Sequence, residues 1–437
     1  MKIQKIISML VVFVLLLSTL VFATPDIELS AESAILIEAT TGQVLYEKNS
    51  EEKMYPASIT KILTAIIALE ECNLTDIVTV SEIAVSSLPQ GSSTGELKSG
   101  ETFTVEQLLY ALLVNSGNDA ANVLAEHIAG SNESFATMMN TKATEIGATT
   151  SNFVNPHGLH DEKHYVTAKD MVLIAKYAMS NEVFRRIVST QTYTMPNTEI
   201  YTDEERVYTN TNLMLFDKAM PGNSVNYYYE YITGIKTGQT SQAGKTLVAS
   251  AKKDNMELIC VILGVRNSSE TANRYLDAKK LFTYGFNNYF LTQITTPIKN
   301  IEISNAKKGQ ELEVQIKDNG YLLSTTSVDA SSLNYRMVQK QGLMAPINQG
   351  DEIGTIIFDI NDQVYEYTLV AKNNVEVKDS IFETIMNFFK WIFKIIFYII
   401  LIFIAIVVLF RIFVILTRKK RRKRKRSNGP RRRAKQD

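Results

Sequence analysis

Two serines and two lysines occur in this chain in an order suited to acyl transfer: Ser58-Ile59-Thr60-Lys61, Ser116-Gly117-Asn118 and Lys236-Thr237-Gly238. Ser58 supplies a nucleophile, Lys61 and Lys236 supply amines, and Ser116 supplies a hydroxyl able to relay a proton between them. Such a nucleophile needs a base. A free lysine has a pKa near ~10.4, so keeping one neutral at pH 7 takes about 3.4 units, roughly 4.6 kcal/mol, from burial and a second cation. Lys236 is the candidate for that cation, and Asn118 for holding a substrate amide.

Each string is weak alone. Ser-x-x-Lys also occurs at Ser50–Lys53 and Ser304–Lys307, and Ser-x-Asn at Ser224–Asn226 and Ser332–Asn334. Context selects Ser58. It follows Pro56-Ala57 and opens the apolar run to Leu69, which predicts a buried helix with proline just ahead of its start. On a helix, Lys61 shares a face with Ser58 one turn earlier, and the free N–H groups of the helix start point at whatever Ser58 attacks. Taken alone, Ser58 would read as an N-cap with an incidental lysine.

Ala34–Ile37 and Val44–Tyr46 read as strands joined by a tight turn, and helical patterns follow at 58–70, 104–114, 118–129, 133–146 and 167–179. Strand-like runs at Thr246–Ala251 and Glu257–Val265 precede a helix from Arg274 to Phe286. Strands at both ends of a helical middle predict one α/β domain whose sheet is completed late. From about 290 to 375 short β-rich runs predict a small β domain with no catalytic constellation, suited to a spacer or partner-binding role.

Both ends concern a membrane. Lys2 and Lys5 precede an apolar run from Ile6 to Phe22, predicting a leader over 1–23 cleaved after Ala23. In 381–394 the polar Glu383, Asn387, Lys390 and Lys394 share one helical face, predicting an amphipathic interfacial segment. Residues 395–416 then predict a transmembrane helix, with no charge from Ile395 to Phe410, and 417–437 a basic cytoplasmic tail. The body is therefore expected to be extracytoplasmic, on a single pass.

The formal charge of zero conceals this asymmetry. Setting aside two basic residues in the leader, three near the span and thirteen in the tail leaves 28 Lys+Arg against 45 Asp+Glu. An acidic exported body argues against nucleic acid as its partner. Cys72 and Cys260 sit in apolar settings and are read as free, buried thiols. His157, His160 and His164 are spaced temptingly, but Pro156 and Gly158 break any helix that would align them. No metal or cofactor is expected.

These strings resemble those of the low-molecular-mass penicillin-binding proteins, the serine-type D-alanyl-D-alanine carboxypeptidases. Leu108–Ala121, Asn155–His160 with Thr167–Asp170, and Lys236–Thr240 carry the resemblance, which covers about residues 27–285 strongly and the β-rich segment more loosely. It implies an α/β (α+β) penicillin-binding/β-lactamase-like catalytic domain over 27–287, with an antiparallel sheet and a helical subdomain, then a small β-rich domain over 288–375. It further implies removal of the terminal D-alanine from peptidoglycan stem peptides through an acyl-serine, and covalent inhibition by β-lactams. By the same resemblance the N–H groups of Ser58 and Gln239 form an oxyanion hole beside Gly238. Thr237 and Thr240 help hold the terminal carboxylate, and Arg274 attracts it. Many members end in an amphipathic anchor alone, so the full span and basic tail depart from the pattern.

A D,D-endopeptidase would use the same residues. A β-lactamase would need the Glu-x-x-Leu-Asn string, absent between Ser116 and Lys236. A catalytically silent, membrane-tethered wall-binding scaffold would not require Ser58, Lys61, Ser116 and Lys236 together.

Overall fold

The computed structural model describes residues 27–202, 205–218, 225–266, 273–298, 300–317, 320–330, 333–360, 363–378 and 381–427. The leader and the last ten residues of the tail lie outside these ranges.

The chain opens with antiparallel β1 (Ser33–Glu38) and β2 (Val44–Lys48). A 3-10 turn, Ala57–Thr60, leads into α1 (Lys61–Glu71). This corrects the expectation of one helix starting at Ser58: regular α-helix begins only at Lys61. Two other segments crowd the turn. A Cβ on Gly158 would collide with Ala57 O, one on Gly238 would stand 2.8 Å from Ser58 N, and Ala57 itself is held at φ +52°.

The helical part follows, with β3 (Ile77–Thr79), α2 (Glu82–Ser86), β4 (Thr102–Thr104), α3 (Val105–Leu113), α4 (Asn118–Ala129), α5 (Asn132–Ile146), α6 (Ala168–Ala178) and α7 (Glu182–Ser189). Local chemistry sets these limits. Thr104 and Gln107 form a reciprocal capping box on α3, while Ser131, Thr167 and Asn181 cap α5, α6 and α7. Gly130 and Gly147 end α4 and α5 in the left-handed conformation.

After the hairpin of β5 (Thr192–Met195) and β6 (Arg206–Thr209) come β7 (Ile232–Thr240), β8 (Gly244–Lys253), β9 (Met256–Val265) and α8 (Arg274–Asn288). The main sheet has the order β2-β1-β9-β8-β7, antiparallel throughout, so the late strands do complete it. Every residue of β9 is buried, because both sheet faces are covered. Ile35, Ile37, Ile259, Val261 and Leu263 join the core of the helical part. The alternate residues Ala34, Leu36, Leu258, Cys260 and Ile262 pack on Ala278, Leu281 and Phe282 of α8. Cys260 is a buried free thiol as expected, whereas Cys72 is only half-buried.

The remaining strands are β10 (Phe290–Gln293), β11 (Asn300–Ile301), β12 (Leu312–Ile316), β13 (Tyr321–Ser324), β14 (Tyr335–Gln339), β15 (Glu352–Ile360) and β16 (Gln363–Ala371). β10 and β13 pair with each other, and Leu291 and Leu323 join the α8 side of the core. The first compact unit runs to Ile294 and also takes 321–330. The second unit holds an antiparallel sheet of order β11-β12-β16-β15-β14. In β12, Leu312, Val314 and Ile316 are buried and alternate with exposed Glu313 and Gln315, the pattern of a sheet wet on one face. The chain then forms one uninterrupted helix, α9 (Ile381–Ser427), with no break between the segments expected to be interfacial and spanning.

One buried ion pair ties β6 to the start of β4. Arg206 Nη2 donates to Glu101 Oε1 at 2.7 Å and Nη1 to Oε2 at 3.3 Å, with both side chains almost fully enclosed. Burial pushes the Glu101 carboxyl up, but Arg206, Thr198 and Lys98 N–H together bring it below its ordinary value. Glu101→Ala strands a buried guanidinium and should cost about 3–5 kcal/mol of stability, measured by denaturant unfolding. A loss under about 1 kcal/mol would show that the pair carries no such weight.

Candidate active site

Lys61, the first residue of α1, is completely buried. Its Nζ lies 3.1 Å from Ser58 Oγ, 2.6 Å from Asn118 Oδ1 and 2.8 Å from His157 O. The last two oxygens only accept hydrogen bonds, whereas a serine hydroxyl also donates. A neutral amine has two N–H groups and one lone pair. In a neutral Lys61 whose N–H groups go to Asn118 and His157, the lone pair would be left for the Ser58 hydroxyl. Burial foremost, then the charge of Lys236, holds the Lys61 amine far below its ordinary range, with Asp119 opposing.

Two tertiary contacts place those oxygens. Thr64 Oγ1 of α1 donates to Pro156 O at 2.6 Å, seating the 155–160 segment so that the His157 carbonyl reaches Lys61. Asn118 begins α4, two residues after Ser116, a buried residue at φ +66°. Neither amine donates to Ser116 Oγ in this geometry. Asp119 accepts from Gly95 N and Ala120 N at Oδ1 and from Leu97 N at Oδ2, and Asn118 N donates to Ser93 O. The 93–97 loop is thereby fixed against the second motif. Burial raises the Asp119 carboxyl despite those N–H bonds.

The three histidines go to separate partners. His157 Nδ1 accepts from Leu159 N, His164 Nε2 meets Thr60 Oγ1 at 3.0 Å, and His160 packs edge-on against Tyr55. Burial pulls His157 down to about 3 and His164 to about 4, so both are neutral near pH 7.

Lys236 lies on β7, at the edge of the sheet, and is buried. Its Nζ donates to Thr237 O at 3.1 Å and Thr211 Oγ1 at 3.4 Å. Burial first and Arg274 second push this amine down to about 7. Thr237 Oγ1 donates to Thr211 Oγ1 at 2.6 Å, and Gly238 lies against Ser58 N, where no side chain fits. Gln239 is exposed. The Thr240 hydroxyl accepts from Ala243 N and closes the β7–β8 turn. Arg274 Nη1 donates to Gly238 O at 2.8 Å and Thr246 O at 3.3 Å, so this side of its fork braces β7 and β8.

Residues 20–267 match the family model described as D-alanyl-D-alanine carboxypeptidase. The chain belongs to that family. Among curated relatives of this carboxypeptidase, DacF of Bacillus subtilis is 34% identical over 80% of this chain and 86% of its own length. DacC of Escherichia coli is 32% identical over 79% of this chain and 84% of its own. Both are named D-alanyl-D-alanine carboxypeptidases. The solved structure of penicillin binding protein 5 from Haemophilus influenzae is similar at 28% identity and a TM-score of 0.67, covering 81% of this chain and 100% of that one. Residues 292–377 match a second model, the C-terminal domain of penicillin-binding protein 5.

Three groups joined to the motif residues escaped the motif reading. The His157 contribution is a backbone carbonyl, which no residue type reveals. Asp119 stands beside the second motif, where its acidity pointed to no role. Thr211 belongs to no motif at all.

The depressed Lys236 amine has a thermodynamic consequence. Between about 7 and its ordinary 10.5 the unfolded chain binds a proton that the folded protein lacks, so stability rises with pH across that window. The full rise from this group is about 4–5 kcal/mol. Unfolding free energy should therefore climb more steeply between pH 7 and 10 in the parent than in Lys236→Met. Equal slopes would contradict this.

Proposed function

We propose that Ser58 is the nucleophile with which this D-alanyl-D-alanine carboxypeptidase removes the terminal D-alanine of peptidoglycan stem peptides, with Lys61 as its base. The observation that carries the reading is the Lys61 amine, buried, depressed in pKa, and 3.1 Å from Ser58 Oγ with its other contacts made to acceptor oxygens. In the forward step Ser58 Oγ bonds to the penultimate carbonyl carbon and its proton passes to Lys61. The tetrahedral centre collapses with cleavage of the C–N bond. The leaving D-alanine amine takes up a proton relayed through Ser116, and water later attacks the acyl-serine to restore the hydroxyl.

The N–H groups of Ser58 and Gln239 serve as the oxyanion hole, a role supported by the close approach of Gly238 to Ser58 N. Asn118, its Oδ1 turned to Lys61, offers its NH2 to the peptide carbonyl. Lys236 and Arg274 provide the positive field for the terminal carboxylate, with Thr237 as its direct donor. A β-lactam offers the same carbonyl and carboxylate, but its amine leaving group stays tethered. The adduct should be long-lived.

Fluorescent penicillin should label the parent protein on Ser58, mapped by mass spectrometry, and Ser58→Ala should not label. Lys61→Ala should acylate at least ~100-fold more slowly, the scale of general-base catalysis. Retained labelling of Ser58→Ala, or a rate within about threefold for Lys61→Ala, would overturn the assignment.

The C-terminal helix is long and apolar enough to cross a membrane. We infer a single pass with the catalytic body outside and the basic tail inside. Support comes from the uncharged run over 395–410 followed by basic residues from Arg418 onward. At about 1.5 Å per residue, the 47 residues of α9 exceed a hydrocarbon core of about 30 Å and leave helix on both sides. Protease added to intact protoplasts should remove the body and spare a C-terminal tag. Loss of the tag with the membrane intact would favour a helix lying on the outer surface.

A further inference from the structure

Thr211 sits half-buried in the connection between β6 and β7, and its surroundings fix it on three sides. Its main-chain oxygen accepts from Tyr275 OH at 3.0 Å, and its side-chain oxygen accepts from Thr237 Oγ1 at 2.6 Å and from Lys236 Nζ at 3.4 Å. Its neighbours are anchored as well. Asn210 Nδ2 donates to Thr190 O, and Asn212 Nδ2 donates to Gly234 O at the start of β7. Thr211 is thus held by α8, by β7 and by the flanking backbone, with its hydroxyl joined to two residues of the third motif.

We propose that Thr211 is a positioning residue that directs the Thr237 hydroxyl to the free terminal carboxylate of the substrate, and so sets the preference for a C-terminal carboxylate over a neutral group. The proposal rests on the reading of the Ser58 site given above.

The reason lies in counting donors. A carboxylate only accepts hydrogen bonds, and Thr237 has one hydroxyl hydrogen, which in the free enzyme goes to Thr211. To serve a carboxylate, Thr237 must turn that hydrogen outward, and its oxygen then lacks a donor. Thr211 carries its own hydroxyl hydrogen and can reverse the bond. The chain then runs from the Lys236 ammonium to Thr211 Oγ1, from Thr211 O–H to Thr237 Oγ1, and from Thr237 O–H to the carboxylate. Only hydrogen bonds reorient, so no proton changes its heavy atom. A cation at one end and an anion at the other polarise every link in the same direction. Arg274 supports the arrangement from behind, since its Nη2 donates to Tyr275 OH, which holds the Thr211 backbone. A neutral terminal group gives the chain no anion to point at, and the free-enzyme direction persists.

The test uses the full-length protein in detergent, with Thr211→Val as the near-isosteric variant lacking the hydroxyl and Thr211→Ser as the conservative one. Second-order acylation is measured with a penicillin bearing its free carboxylate and with the methyl ester of the same compound. Thr211→Val should lose about tenfold with the free carboxylate, the worth of one hydrogen bond to a charged group, and less than about twofold with the ester. On a peptide ending in D-Ala-D-Ala the loss should appear in KM, and Thr211→Ser should restore the discrimination. Equal losses for acid and ester would overturn the proposal, because they would mean that Thr211 acts on Lys236 or on the scaffold alone. Unchanged discrimination in Thr211→Val would overturn it as well. If Thr211→Val does not fold, as judged by its thermal melt, Thr211→Ala is measured with the same pair of probes and read by the same criteria. Failure of the underlying site reading would show separately, as labelling that survives Ser58→Ala.

Discussion

The structure depends on enclosing the Lys61 amine, whose pKa is held far below the ordinary lysine range. Lys61 is completely buried at the start of α1, and burying an ammonium there without a full set of partners would be prohibitive. The protein answers with oxygens from two distant segments, the Asn118 amide and the His157 carbonyl, and with a second amine whose charge pushes the first toward neutrality. That arrangement requires α1, α4, the 155–160 segment and β7 to converge within a few ångströms. Most of the first unit is the packing that makes them do so.

Convergence leaves little room for side chains. Gly158 and Gly238 bring two backbones against the Ala57–Ser58 turn, and Ala57 and Ser116, flanking the reactive groups in the chain, both adopt positive φ. Non-glycine residues take up that conformation only where their surroundings enforce it. The strain is local and is offset by the sheet and helices behind it. β9, buried along its whole length, joins the core of the helical part, which includes Ile62 and Leu63 of α1, to the core under α8, which includes Tyr275.

Polar connections extend the site beyond its motifs. Asp119 fixes the 93–97 loop through three backbone N–H groups, and Tyr275 and Arg274 hold Thr211 and β7 from α8. The second unit, described by itself, is an antiparallel sheet followed by the long apolar helix α9.

Much of this was legible in the sequence because it depends on local pattern. The three motif strings, the helices at 104–114, 118–129, 133–146 and 167–179, and the late strands follow from periodicity, caps and residue chemistry that neighbours in the chain supply. What escaped depends on partners far away in sequence. The 3-10 turn at Ser58 has the backbones of Gly158 and Gly238 packed against it, a contact that no local propensity encodes. The return of β13 to β10 depends on a ladder across some thirty residues. The roles of the His157 carbonyl and of Thr211 follow from where the backbone is placed and not from what those residues are. Sequence by itself determined which groups were available for chemistry. Only the tertiary structure decided which oxygens surround the lysine, because the depressed pKa of Lys61 is a property of its burial and not of its identity.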